Sequence, residues 1–314
     1  MKLALLSRSV ILLAAAVELV AAPQQQIKKS KVTVYDIQKK STKVIYESDA
    51  LIEAPNWSPD GKYLLVNTGG ALYRLPVRGS NATQLVKIDL GSLGRCNNDK
   101  SVSPDGKLIA FSSSGNAKGS QVYTVPSSGG TPKLIVSETP SYFHGFSPDG
   151  KWLAIVAQRN GNFDLFRVPV QGGVQEQLTT SPGYDDGPDY SPDGRWIYFN
   201  SNRSGGWRIW RMPAAGAGPN DERAQQVTNG EYEDWFPHCS PDGKWLLFVS
   251  FPKGTETHNG RMPGVMLRMI QLPGNSIHPA AIQTLATIFG GQGTINVNSW
   301  SPDSKQFAYV SYEP

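Results

Sequence analysis

Ser147-Pro-Asp-Gly-Lys151, followed at once by Trp152-Leu-Ala-Ile-Val-Ala157, decides the fold, because near-copies of it recur along the chain. The pentapeptide stands again at residues 58–62, 103–107, 191–195 (ending in Arg195) and 240–244, with an altered copy, Ser301-Pro-Asp-Ser-Lys305. Successive serines are 45, 44, 44, 49 and 61 residues apart. That period suits one four-stranded propeller blade per copy and no common helical repeat. Within each copy the proline fixes φ, the aspartate can bond the backbone ahead of it, and the glycine accepts the positive φ that closes a tight hairpin. The β-rich runs that follow, at 63–66, 108–112, 152–157, 196–200, 245–250 and 306–311, read as the strand leaving the turn. Runs such as 54–57, 143–146 and 296–300 read as the strand entering it.

A second marker follows about ten to fifteen residues later. It reads Leu72-Tyr-Arg-Leu-Pro76, Val122-Tyr-Thr-Val-Pro126, Leu165-Phe-Arg-Val-Pro169 and Ile209-Trp-Arg-Met-Pro213, in most cases before a glycine-containing turn and a short apolar run. Each repeat thus holds four strands. The last copy supplies one hairpin of a blade and then ends at Pro314, whereas residues 32–36 and 42–47 are strand-like and precede the first copy. Together the two ends complete a sixth blade. The expected fold is therefore an all-β, six-bladed propeller with four-stranded blades, the last closed by N- and C-terminal strands, which removes open sheet edges.

Composition fits a turn-dense all-β domain: 32 Gly and 23 Pro in 314 residues, 18% charged and 39% hydrophobic. A net charge of +4, without a basic stripe interleaved with aromatics, argues against nucleic-acid binding. The first 22 residues read as an export signal: Lys2 and Arg8 open it, residues 10–17 are a short apolar run interrupted afterwards by Glu18, and Val20-Ala21-Ala22 offers a small-residue cleavage site. The run is too short to span a bilayer. The expected organisation is a signal peptide over 1–22, a flexible linker over 23–31 and one propeller over 32–314, secreted or periplasmic after cleavage near Ala22. Cys96 and Cys239 precede turns on opposite blades and are expected to be free. The sequons at Asn56, Asn81 and Asn202 do not decide the host, and Asn56 falls on an expected innermost strand where a glycan has no room.

The Ser-Pro-Asp-Gly-Lys hairpin followed by an aromatic or aliphatic strand resembles the propeller repeat of TolB-like proteins, and Asn200-Ser-Asn-Arg-Ser-Gly-Gly206 before Ile209-Trp-Arg-Met212 is similar to a typical blade of that group. The resemblance spans nearly all of the chain after the signal. It implies the fold far more than a function, because such propellers serve as periplasmic scaffolds, as gating domains of peptidases and in polysaccharide lyases. TolB has an α/β domain before its propeller, which residues 22–31 cannot supply, so a Tol–Pal role is not implied. No Gly-x-Ser-x-Gly elbow marks a hydrolase domain.

The repeated turns lie on one face, so the loops leading into each innermost strand share the opposite face around the central channel. Candidate ligand-binding residues on that channel mouth are His144, Arg159, Asp186, Asp189, Arg203, Glu233, Trp235, His238, Gln292, Asn296 and Asn298, joined by a blade-five insertion over residues 251–262 with His258. The insertion follows from the fifth interval, 17 residues longer than the 44-residue spacing. Asp185, Asp186, Asp189, Glu233 and Asp234 read as solvated loop charge and turn capping, or alternatively as a Ca²⁺ site or a surface for a basic segment. Tyr142, Phe143, Tyr184, Tyr232 and Trp235 read equally as ligand platforms or as wedges between blades.

The oligogalacturonate lyases with a related propeller hold a divalent metal through histidines and a glutamine. Gln292 and His238 match two such ligands, and His144, which also precedes a strand converging on the axis, completes the candidate metal set of His144, His238 and Gln292, but Asn296 and Asn298 stand where further histidines are expected, and amide oxygens are weaker ligands for a transition metal. The expected function is a non-catalytic binding or scaffold module, monomeric and not inserted in a membrane, that takes a protein segment or glycan and needs no cofactor. The alternative is a metal-dependent carbohydrate-active enzyme using Ca²⁺ or Mn²⁺.

Overall fold

The computed structural model describes residues 26–77, 84–272 and 281–314. The expected signal peptide and the sequon at Asn81 lie outside these residues. Six sheets make up the molecule. Five are four-stranded antiparallel meanders over residues 53–87, 96–136, 141–177, 185–226 and 233–291, numbered here as blades one to five. The sixth places Lys29–Asp36 between Gln306–Glu313 and Ser41–Ser48. The pairing runs in unbroken register from Lys29 opposite Glu313, through Val32 opposite Val310, to Asp36 opposite Gln306. The two ends of the chain therefore clasp as expected, with residues 29–31 in the strand rather than in a linker.

One expected strand is replaced. Residues 296–300 form no ladder and touch the sixth sheet through a single bridge, Trp300 to Phe307, after the short 3-10 turn Gln292–Thr294. The cause lies in its backbone carbonyls: Ile295 O is bonded to His238 and Asn298 O accepts from Asn56, both on other blades.

The repeated turn is built the same way six times. The serine hydroxyl donates to the aspartate two residues on, at 2.6–2.8 Å, and accepts from the backbone N–H five residues on. The same aspartate oxygen accepts from the N–H of the closing Lys or Arg. Glycine at the fourth place has φ of 70–74° in the five regular copies. Both faces of each blade are buried, and the apolar side chains sort into six clusters, one at each contact between neighbouring blades. Leu64 and Val66 face blade six while Leu65 faces blade two, and Leu153 and Ile155 face blade two while Ala154 and Val156 face blade four. Alternation along each strand thus feeds two cores at once. Among the described residues no helix is long and apolar enough to cross a membrane, and Cys96 and Cys239 are free and buried.

Ser304 explains the altered sixth copy. It keeps a φ of 60° without being glycine, and its hydroxyl accepts from the N–H of Asp242 in the neighbouring turn at 2.9 Å. The left-handed conformation costs a non-glycine residue about 1–2 kcal/mol, and the hydrogen bond returns about 1 kcal/mol. Ser304→Ala keeps the cost and loses the bond, so it should lower unfolding stability by about 1 kcal/mol. Ser304→Gly loses both and should lie near the parent. Urea unfolding of the two variants checks this, and equal losses would remove backbone strain from the account.

Candidate functional site

Three innermost strands carry the same irregularity: Ala54-Pro55-Asn56, Gly187-Pro188-Asp189 and Phe236-Pro237-His238. The first residue of each has positive φ, 49°, 59° and 52°, and strand register slips across each triplet. Proline brings no N–H to the ladder, so pairing breaks there and the third residue is re-aimed. Gly187 is required where it stands: a Cβ would meet Asn200 Oδ1 at 2.6 Å and Phe236 Cδ1 at 2.9 Å. Asn200 is not free to move, since its Oδ1 accepts from Phe236 N. The bulge at Ala54 is braced by Lys100, whose buried Nζ donates to Ala54 O at 2.6 Å and to Glu53 O and Asn98 O at 3.3 Å. Burial pushes the Lys100 ammonium down to about 7.

The re-aimed side chains bond to one another around the axis. His238 Nδ1 lies 3.2 Å from Asp189 Oδ2, and its Nε2 donates to Ile295 O at 2.8 Å. Asn298 Nδ2 donates to the same Asp189 oxygen at 2.9 Å and to Cys239 O, and Asn56 Nδ2 donates to Asn298 O at 2.7 Å while its Oδ1 accepts from Val102 N. A glycan on Asn56 is incompatible with this burial and pairing.

Above this network, on the face of the repeated turns, opens a cup of about 320 Å³ to which all six blades contribute. The second residue of every repeat copy stands at its rim: Pro59, Pro104, Pro148, Pro192, Pro241 and Pro302. Trp57, Val102, Phe146, Tyr190 and Trp300 form its wall, and Asn56, Ser101, His144, Asp189 and Asn298 its polar floor. The sequence reading took these prolines for turn-formers and missed their common position. The signal was available, because one proline per copy on a six-fold ring must converge on the axis.

The opposite end differs from the open rim expected there. The insertion proper is residues 252–260, since Phe251 ends one strand and Arg261 begins the next. It folds inward: Gly254 N donates to Glu233 Oε1, Trp207 Nε1 donates to Glu256 O, and buried His258 sits edge-on to Phe236 at 5.2 Å. Asp186 lies between His144 Nε2 at 3.3 Å and His258 Nε2 at 3.7 Å. Asn296 donates to buried Asp99 at 2.6 Å, and burial pushes the Asp99 carboxyl up. Trp235 is fully buried against Trp207 and Phe251.

Asp185, Asp186, Asp189, Glu233 and Asp234 are thus buried and paired, a correction to their reading as solvated loop charge. Arg203 is a brace, with one guanidinium nitrogen at 2.7 Å from Asp185 and 3.0 Å from Asp221. Arg159 lies away from the axis, bonded to Glu138, Ser141 and Gln175. Of the expected ligand-binding residues, the structure brings only His144, Asp189 and Asn298 to the cup. Both ring nitrogens of His238 are engaged, and among the described residues no group of three or more His, Cys, Asp and Glu is spaced to hold a metal ion. Gln292 stands apart in the 3-10 turn.

Burial disfavours the charged form of His144, but its hydrogen bond to Asp186 and the fields of Asp99, Asp186 and Asp189 outweigh it and raise its pKa above 6.5. Asp186 is lowered below 3.8 in spite of burial, by His144 and His258. The histidine contribution is complete below its unfolded pKa and fades as pH rises through the raised folded value. The aspartate contribution is complete above its unfolded pKa and fades as pH falls through the depressed one. The pair therefore stabilises most between about pH 4 and pH 6.5. His144→Leu should cost about 3 kcal/mol near pH 5.5 and distinctly less near pH 9, as read by urea unfolding. A loss independent of pH would mean that His144 acts through packing alone.

The TolB β-propeller domain matches residues 136–263. An uncharacterized protein of Agrobacterium fabrum is 43% identical over 286 residues, 91% of this chain and 93% of its own length. A solved structure from Agrobacterium tumefaciens, provisionally named TolB, superposes with a TM-score of 0.84 at 43% identity, covering 91% of this chain and 99% of that one. TolB from Acinetobacter baumannii shares the fold at a TM-score of 0.60 and 17% identity, over 91% of this chain and 64% of its own. With six radial sheets, the shared repeat and a full-length relative of this identity, the chain belongs to the TolB-like β-propeller family.

Proposed function

We propose that this protein is a non-catalytic binding module that is exported, loses its first 22 residues, and receives a segment of a partner protein in the cup on the face of the repeated turns. The observation that carries this reading is the contrast between the two ends of the channel. At one end the insertion closes the channel, burying His258 and Asp186 against each other and against the Nε2 side of His144, whose ring separates the two ends. At the other, six rim prolines and an aromatic wall surround a small polar floor. A concave, mainly apolar site with a few convergent polar groups is the usual form of a binding pocket. Rigid rings at its edge lose little conformational freedom when a ligand seats. The rim is also held from below, because every proline follows a serine locked into its turn.

The test is selection of peptides from a random library on the purified protein lacking residues 1–22. Selected peptides should lose about tenfold or more in affinity for Trp57→Ala, in line with the loss of one aromatic anchor. Peptides that bind the variant as well as the parent would sink the reading. So would saturable binding on a glycan array without any peptide binding, which would assign the cup to sugars. Stoichiometric metal in the purified protein that disappears in His238→Ala would return the metal-dependent enzyme.

A further inference from the structure

The floor of the cup favours one kind of occupant. Resting on the reading of the cup as a protein-binding site, we propose that it takes a lysine or arginine side chain of the partner segment, with the cationic tip on Asp189 Oδ1. Asp189 is nine-tenths buried, and both of its side-chain partners, His238 Nδ1 and Asn298 Nδ2, are on Oδ2. Among the described residues no hydrogen bond reaches Oδ1. The residue beside that oxygen is Gly145, where a Cβ would lie 3.1 Å from it, so the approach from the cup is kept free of side chain.

No lysine or arginine lines the cup. His144, which also faces the cup, has its charge offset by Asp186 at 3.3 Å, and His238 meets Asp189 only through Oδ2, at 3.2 Å. A carboxylate oxygen without a donor, set among mostly apolar walls, favours a positive partner over a neutral donor. The walls suit the rest of such a side chain. Proline rings and the faces of Trp57 and Trp300 cover a methylene stem, and aromatic faces attract the cation on its way in. A sugar ring, by contrast, would need polar partners around its whole edge, where the cup offers mostly apolar surface.

The probes are acetyl-Gly-Lys-Gly amide and acetyl-Gly-Arg-Gly amide, with a norleucine counterpart as the uncharged control, followed through the indole N–H resonances of Trp57 and Trp300. We expect saturable shifts with at least one basic peptide, binding about tenfold weaker or worse for norleucine, and weakening as salt is raised. Gly145→Ala places a methyl against Oδ1 without a change of backbone region and should abolish the preference. Asp189→Asn should do the same, and a thermal unfolding curve for each variant shows whether it is folded. Norleucine binding as tightly as lysine and arginine, or neither basic peptide shifting the indoles, overturns the proposal. Library peptides that depend on Trp57 but carry no basic residue would overturn it too while leaving the binding module intact. Library peptides indifferent to Trp57 would instead remove the cup itself.

Discussion

Six sheets can share one axis only if most of the polar groups their inner strands turn towards it find partners there. A buried, unpaired polar group costs a good part of what a hydrogen bond contributes. The chain meets this constraint by breaking its own ladders. Bulges at Ala54, Gly187 and Phe236 give up strand pairing so that Asn56, Asp189 and His238 can reach across to other blades. The irregular stretch at 295–300 is the same trade made on the largest scale, with carbonyls of Ile295 and Asn298 serving side chains rather than a strand. The histidines and acids that look catalytic in the sequence are largely absorbed by this requirement.

The two ends of the channel then diverge for a simple reason. On one face every connection from the innermost strand to the second is the same five-residue turn, too short to fold inward, so the axis stays open and the prolines ring it. On the other face connections vary in length. One of them, in blade five, is long enough to reach Asp186 and Phe236 with His258. Regularity leaves a hole and irregularity fills one.

The fold was legible in the sequence because the turn chemistry is local. Serine, proline, aspartate and glycine act within five residues, and their spacing counts the blades. The pairing of residues 32–36 with the last strand was legible for a related reason, since half a blade at each end has one way to be completed. The candidate site was read less well. Sequence placed His144, Asp189 and Asn298 at the mouth opposite the repeated turns, whereas they line the cup on the turns' own face, and it took Asp186 and Glu233 for exposed charge. What buries them is the insertion, whose path depends on contacts such as Gly254 to Glu233 that no local pattern announces. Ala54, Gly187 and Phe236 each precede a proline and then a polar residue, two places before the repeat serine. That register was on view in the sequence, but its meaning, a bulge pointing inward, needs the partners across the channel.

The clasp between Lys29–Asp36 and Gln306–Glu313 also bears on how the molecule is made. Residues 306–313 are the last of the propeller strands to leave the ribosome, so five finished sheets and an N-terminal hairpin must wait for them with one edge of Lys29–Asp36 unpaired. Synthesis is thus the interval in which this protein is most open to strand exchange with its neighbours.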